Sequence, residues 1–244
     1  MKGIILAAGR GSRMGSLTEK LPKCRTVLHG KELIQWQLTA LSTASINDIA
    51  IVRGYLPETF DFDVTYFENK QWATTNMVVS LLAAEAWLEN DICITSYSDI
   101  VYSPDAVRRL VKATGDIVIA YDPNWIDLWS MRFEDPLSDA ETFRLDGNRV
   151  VEIGSRSSSL EEIEGQYMGL VKYTPNGWLQ VRKYLKEFTQ EELSKLDMTT
   201  LIQGLINVGI EVTGIPIADR WFEVDTESDL RTYQSKFARN SINL

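Results

Sequence analysis

Near the amino terminus, Gly3-Ile4-Ile5-Leu6-Ala7-Ala8 forms an uninterrupted apolar run that gives way at once to Gly9-Arg10-Gly11-Ser12. A short run with no polar member suits a strand covered on both faces at the centre of a parallel sheet. The glycines that follow permit positive φ and close backbone approach, so the loop's amides can point inward and surround an anion. The ligand this implies is a phosphate, held where open α/β sheets collect their ligands, beyond the carboxyl ends of the strands.

Spacing excludes two common phosphate loops. A dinucleotide fingerprint needs a third glycine three residues after the second, but Gly11 is followed by Ser12, Arg13 and Met14. A P-loop ends in Gly-Lys-Ser/Thr, and no lysine lies between these glycines and Lys20. Charge supports an anion at this place. Residues 1–31 carry seven lysines and arginines against one acid, a net +6, in a chain whose total is −9, so residues 32–244 carry −15. A local reversal of sign focuses a small polyanion into one mouth of an acidic protein.

The run Leu6-Ala7-Ala8-Gly9-Arg10-Gly11-Ser12-Arg13-Met14, followed by Pro22-Lys23, resembles the signature of nucleotidyltransferases that join an NTP to a phosphorylated small molecule. These are the sugar-1-phosphate nucleotidylyltransferases and phosphocholine cytidylyltransferases. The resemblance implies an α/β fold, a Rossmann-like, mixed but mostly parallel sheet flanked by helices of the GT-A-like nucleotidyltransferase kind. It implies one domain over 1–244, with 1–121 and 210–244 as nucleotide and metal core and 122–173 as an acceptor-binding insertion with a hairpin. Leu6, Ala7, Ala8, Gly9, Arg10, Gly11, Ser12 and Arg13 would contact the nucleotide, with Ser98 beside them. Arg13 would neutralise departing pyrophosphate, and Lys23 would bridge the α-phosphate and the acceptor. Both are expected to be catalytic.

At 244 residues and 44% apolar composition the chain suits one domain with a full core. A pI near 4.8 argues against nucleic-acid binding, which rests on many Lys and Arg contacts to phosphates. The apolar run after Met1-Lys2 is too short for a signal peptide, and no membrane-spanning stretch follows, so a cytoplasmic enzyme is expected with no membrane partner. Two distant cysteines imply neither a disulfide framework nor a zinc site, and His29 as sole histidine excludes a histidine metal cluster.

Apolar spacing then predicts a helix over 32–41, a strand over 49–52, a weaker strand over 63–67 and a helix over 76–90 capped by Thr75 or Asn76. By resemblance Asn76 and Ser80 contact base and ribose. A capping role for Asn76 and a solvated helix position for Ser80 are the alternatives. The strand over 92–101 ends in Ser98-Asp99, and a carboxylate there is costly unless it meets a cation. Asp99 therefore reads as a Mg²⁺ ligand, matching the family's metal-binding aspartate, with a turn before Pro104 as the alternative. Further strands are expected over 116–121, 166–173, 210–217 and 220–224, and helices over 105–114, 175–188 and 199–208, the last with a capping signal at Asp197-Met198-Thr199. Asp225 ends the last strand. It matches the family's second metal aspartate, or else caps the final helix.

Residues 122–142 are rich in aromatics and acids and lack regular period, and residues 143–154 alternate around Asp146-Gly147-Asn148 as a hairpin does. Aromatic faces beside carboxylates suit a cationic amine, and Arg132 and Arg156 suit a phosphate or carboxylate. Trp125, Trp129, Arg132, Glu141, Arg156 and Tyr167 are the expected acceptor residues, with core packing as the alternative for the tryptophans. This insertion looks more like cytidylyltransferases acting on phosphocholine, aminoethylphosphonate or phosphoglutamine, including those of capsule modification, than like sugar enzymes. The expected partners are CTP and a phosphorylated acceptor, and a homodimer is left open. The runners-up are a sugar-1-phosphate nucleotidylyltransferase and a noncatalytic nucleotide sensor.

Overall fold

The computed structural model describes residues 1–237. Its frame is one nine-stranded sheet. In chain order the strands are β1 (Lys2–Ala7), β2 (Ile49–Arg53), β3 (Thr65–Glu68), β4 (Cys93–Tyr97), β5 (Ile117–Asp122), β6 (Glu141–Asp146), β7 (Arg149–Arg156), β8 (Gln166–Tyr173) and β9 (Thr213–Pro216), and they lie side by side as β3-β2-β1-β4-β8-β5-β9-β7-β6. The first four are mutually parallel, with Ile5 of β1 opposite both Ile51 of β2 and Ser96 of β4. β8 runs antiparallel to β4 and β5, so β5 and β9 regain the direction of β1 and the sheet is mixed.

The apolar runs behave as their composition requires. Ile4 and Ile5 point to opposite faces and are both fully buried, which is why β1 shows no alternation. On one face pack α1 (Leu33–Thr43), α3 (Pro104–Lys112), α4 (Trp125–Arg132) and α7 (Glu227–Lys236). On the other pack α2 (Met77–Ala83), α5 (Pro175–Leu185) and α6 (Met198–Asn207).

The hairpin falls where Asp146-Gly147-Asn148 placed it, between β6 and β7, with two irregularities in its ladder. Two expectations need correction. The helix expected over 76–90 breaks at Ala84 and resumes as Glu85–Leu88. The stretch taken as irregular contains α4, whose residues Trp125, Leu128 and Trp129 are buried on one face, so a helical period of only two turns was hidden among the acids and prolines around it. Gly169 of β8, expected to mark a close approach, has φ 77° at an irregularity between Tyr167 and Val171, and a Cβ there would lie 2.7 Å from the Tyr97 ring.

Candidate active site

The carboxyl ends of β1, β2, β4 and β5 open on the same edge of the sheet, and the loops leaving them converge there. After β1, residues 9–12 project outward. The N–H groups of Gly9, Arg10 and Gly11 donate to no protein acceptor among the described residues, which leaves them for an anion. Gly11 has φ 73°, and a Cβ on it would stand 2.5 Å from the Cβ of Lys23. Both facts require glycine, and together they lay the loop directly on the lysine's stem.

Lys23 follows Pro22 in a single 3-10 turn and is only 7% exposed. Its ammonium donates to Asp99 Oδ2 at 2.8 Å and to Asp225 Oδ1 at 2.5 Å. A two-residue ribbon brings these carboxylates together. Ile100–Val101 pairs antiparallel with Phe222–Glu223, and the Val224 N–H donates to the Asp99 carbonyl. Burial pulls the Lys23 ammonium toward deprotonation, but Asp99 and Asp225 together outweigh it and hold its pKa raised. For Asp225, burial disfavours the charge, yet Lys23, Arg13 and Arg132 prevail and hold it below the usual carboxylate range. Arg13 reaches Asp225 Oδ1 at 3.0 Å while its side chain stays 66% exposed, free to meet a second anion.

Asp225 does not cap α7. Thr226 does, in a capping box with Asp229. The other Asp225 oxygen accepts from Arg132, whose side chain is fully buried and also contacts Glu223 and Asp229. Arg132, expected to hold a substrate anion, therefore holds three of the protein's own acids, because α4 turns it inward against α7. Burial, then repulsion from Asp225, raises the Glu223 pKa against the pull of Arg132.

Two recesses flank this charged centre, with Met77 as a wall of both. The smaller, about 110 Å³, lies between the β1 loop and the start of α2, lined by Leu6, Ala8, Gly9, Trp72, Asn76 and Ser80 among others. Asn76 caps α2 through its own side chain and also lines this recess. Ser80 is buried, not solvated, because Asn69 folds over it. Ala7 turns to the other face of β1 into the core. Arg10 lies exposed 5.7 Å from the Tyr55 ring, Ser12 is exposed in the turn that follows, and Ser98 is half-buried beside Asp99.

The larger recess, about 250 Å³, reaches from Arg13, Glu223 and Asp225 to Trp129, Glu141 and Tyr167. Burial, then Asp197, raises the Glu141 pKa, opposed by a hydrogen bond from Thr199. The Trp129 indole donates to Asp139 at 3.2 Å and stays on the wall. Trp125 is a core residue whose indole donates to the Ile163 carbonyl. Arg156 reaches the Ser138 carbonyl at an exposed position, opposite Glu141 in the hairpin ladder, and is not itself part of the recess wall.

A glycine-rich loop with free amides, a lysine between two strand-end carboxylates and two adjoining recesses lie together at this edge, and the family model for the MobA-like NTP transferase domain matches residues 3–150. The chain belongs to this family. It is a nucleotidyltransferase. Over 97% of its length it is 34% identical to the whole of the CTP:phosphoglutamine cytidylyltransferase of Campylobacter jejuni. It is 39% identical over 99 residues to the choline-phosphate cytidylyltransferase of Streptococcus pneumoniae, a match covering 38% of this chain and 43% of that protein. The inositol-1-phosphate CTP transferase of T. maritima shares the fold, with a TM-score of 0.76 at 20% identity over 97% of each chain.

Several residues at or beside this transferase's recesses escaped the sequence reading. Glu223 carried a signal, since it stands two residues before Asp225 and points to the same side of an extended strand. Asp197 was read only as a helix cap, which it is, yet it also lines the larger recess. Gln166 and Asn69 gave no local signal.

Proposed function

We propose that this nucleotidyltransferase uses CTP and transfers CMP to a phosphorylated small molecule, releasing pyrophosphate. The observation that carries the reading is the match to the phosphoglutamine enzyme over essentially both full lengths. The smaller recess, beside the loop with free amides, would take the base and the larger the acceptor. Acidic and aromatic walls there (Asp139, Glu141, Trp129, Tyr167) suit an acceptor carrying an ammonium or amide group, as phosphoglutamine does. A plain hexose-1-phosphate offers neither group. Residues 122–173 would then act as the acceptor-binding part, and the Lys23 centre as the nucleotide and metal part.

The acceptor phosphate is already an anion, so the protein has to position it and neutralise charge as it attacks the α-phosphorus in line. The free amides of residues 9–11 would hold the triphosphate, Arg13 would take up charge on pyrophosphate, and Lys23 would steady the α-phosphate and the incoming oxygen. Asp99 and Asp225 fit a divalent cation. Asp99 Oδ1 is buried and has no hydrogen-bond partner, and two carboxylates completed by phosphate oxygens are what Mg²⁺ accepts. Among the described residues no third acidic, histidine or cysteine side chain completes a metal cluster, so nucleotide oxygens would have to share the ion. Mg²⁺ bound there would supply charge neutralisation at the α-phosphate.

No helix among the described residues is long and apolar enough to cross a membrane. The free buried thiols of Cys24 and Cys93 support a cytoplasmic setting, and service to surface polysaccharide or capsule modification is the matching role. Pyrophosphate release across four NTPs, each with phosphoglutamine, phosphocholine, aminoethylphosphonate and sugar-1-phosphates, tests the reading. Turnover with CTP and an amine-bearing acceptor is expected. Turnover only with UTP or dTTP and a sugar phosphate would overturn it.

A further inference from the structure

The stem of Lys23 lies beneath Gly11, where an added Cβ would stand 2.5, 2.9 and 2.7 Å from the lysine's Cβ, Cγ and Cδ. Its ammonium spans two carboxylates, 2.8 Å from Asp99 Oδ2 and 2.5 Å from Asp225 Oδ1. Asp225 Oδ1 also accepts from Arg13 at 3.0 Å, and Asp225 Oδ2 accepts from Arg132 at 3.2 Å. Asp99 Oδ1 is buried and has no partner among the described residues. The protein's own cations thus hold three of the four oxygens. A divalent ion shared by Asp99 and Asp225 would need oxygens that Lys23 holds, and it would face the ammonium at close range in a site where water screens little.

We propose that Lys23 is a built-in counter-ion, which keeps a free divalent cation off the Asp99–Asp225 pair until a nucleotide gives its ammonium a new anionic partner. The inference rests on the reading above, in which Lys23 meets the α-phosphate while the two aspartates meet the ion. Both roles cannot be filled while the ammonium bridges the aspartates. Gly11 confines the stem, so the exchange takes place at the end of the side chain. A triphosphate on the free amides of residues 9–11 brings phosphate oxygens to the same loop that covers the lysine. The ammonium then trades carboxylates for phosphate, the carboxylates pass to the ion, and no buried charge is left alone. Ion and nucleotide therefore bind cooperatively, each raising the affinity of the other by the same factor.

The test counts protein-bound Mn²⁺ by electron paramagnetic resonance, with and without CTP. Wild-type protein alone should hold Mn²⁺ no better than Asp99→Asn does, and CTP should strengthen capture beyond the affinity of Mn²⁺ for free CTP. Lys23→Met keeps a stem under Gly11 and removes the charge. Without nucleotide it should bind Mn²⁺ about 5–150-fold more tightly than wild type, the ordinary span of a coupling between two sites. Adding Asp99→Asn to that variant should abolish the gain, and thermal melting checks that each protein is folded. A folded Lys23→Met protein that binds Mn²⁺ no more tightly than wild type overturns the proposal. If Lys23→Met does not fold, the wild-type protein decides. Asp99-dependent Mn²⁺ binding that needs CTP supports the counter-ion, and the same binding equally tight without nucleotide overturns it. Mn²⁺ captured with another NTP and not with CTP would overturn the CTP reading and leave the role of Lys23 standing.

Discussion

Gly11 and Lys23 are in contact across the mouth of the site, so close that a single methyl on Gly11 would stand 2.5 Å from the lysine's Cβ. The glycine-rich loop and Lys23 are thus one packed unit, with the lysine lying between Asp99 and Asp225.

Gly11→Ala should therefore act as a catalytic lesion as well as a backbone one. Holding alanine at φ 73° costs about 1–3 kcal/mol. Displacing Lys23 by an ångström should cut kcat by about 10², read by pyrophosphate release. A normal kcat in the Gly11→Ala enzyme would show that the contact does not position the lysine.

Lys23→Ala and Asp99→Asn test the charged centre directly. Each should lower turnover by about 10² or more, since each removes preorganised charge at the reacting phosphate. Asp99→Asn should also weaken the dependence of rate on magnesium concentration. Near-normal turnover with unchanged magnesium dependence would remove that residue from the mechanism.

Arg132→Met is predicted to be a stability mutation. The buried guanidinium neutralises Glu223, Asp225 and Asp229, and removing one partner of a buried charge network costs about 3–5 kcal/mol. In a chain of this size that lowers the melting temperature by roughly 10 °C. If the guanidinium instead held a substrate anion, melting would be unchanged and KM for the acceptor would rise.

The raised pKa of Glu223 carries a sign. Its folded value, about 7, stands above the unfolded 4.5, so the native state binds the extra proton between those values and stability falls as pH rises through that window. Glu223→Gln should flatten this slope, seen by urea denaturation at several pH values. A slope unchanged in the variant would assign it to another group.

Much of the site could be read without the structure. The β1 run, the glycine loop and the two aspartates at strand ends are local features, because a strand's burial and a loop's required φ are written in consecutive residues. The parts that could not be read depend on neighbours far along the chain. Trp125 and Trp129 stand one helical turn apart with the same side chain, yet one packs under the Ile163 carbonyl and the other lines the recess. Arg132 looked like an anion holder until the fold set Glu223, Asp225 and, from α7, Asp229 around it.

By itself the sequence determined a mostly parallel sheet core, a glycine-rich loop at its edge and an aspartate closing an apolar strand, since short-range burial and backbone requirements dictate each of these, while Asp225 was picked out through family resemblance. Only the tertiary structure decided that Lys23 lies between Asp99 and Asp225, that Asn69 closes over Ser80, and that β8 enters antiparallel with Gly169 against Tyr97. Those relationships join residues 11 to 202 positions apart, and the packing that selects them exists only once the sheet has brought both partners to the same edge.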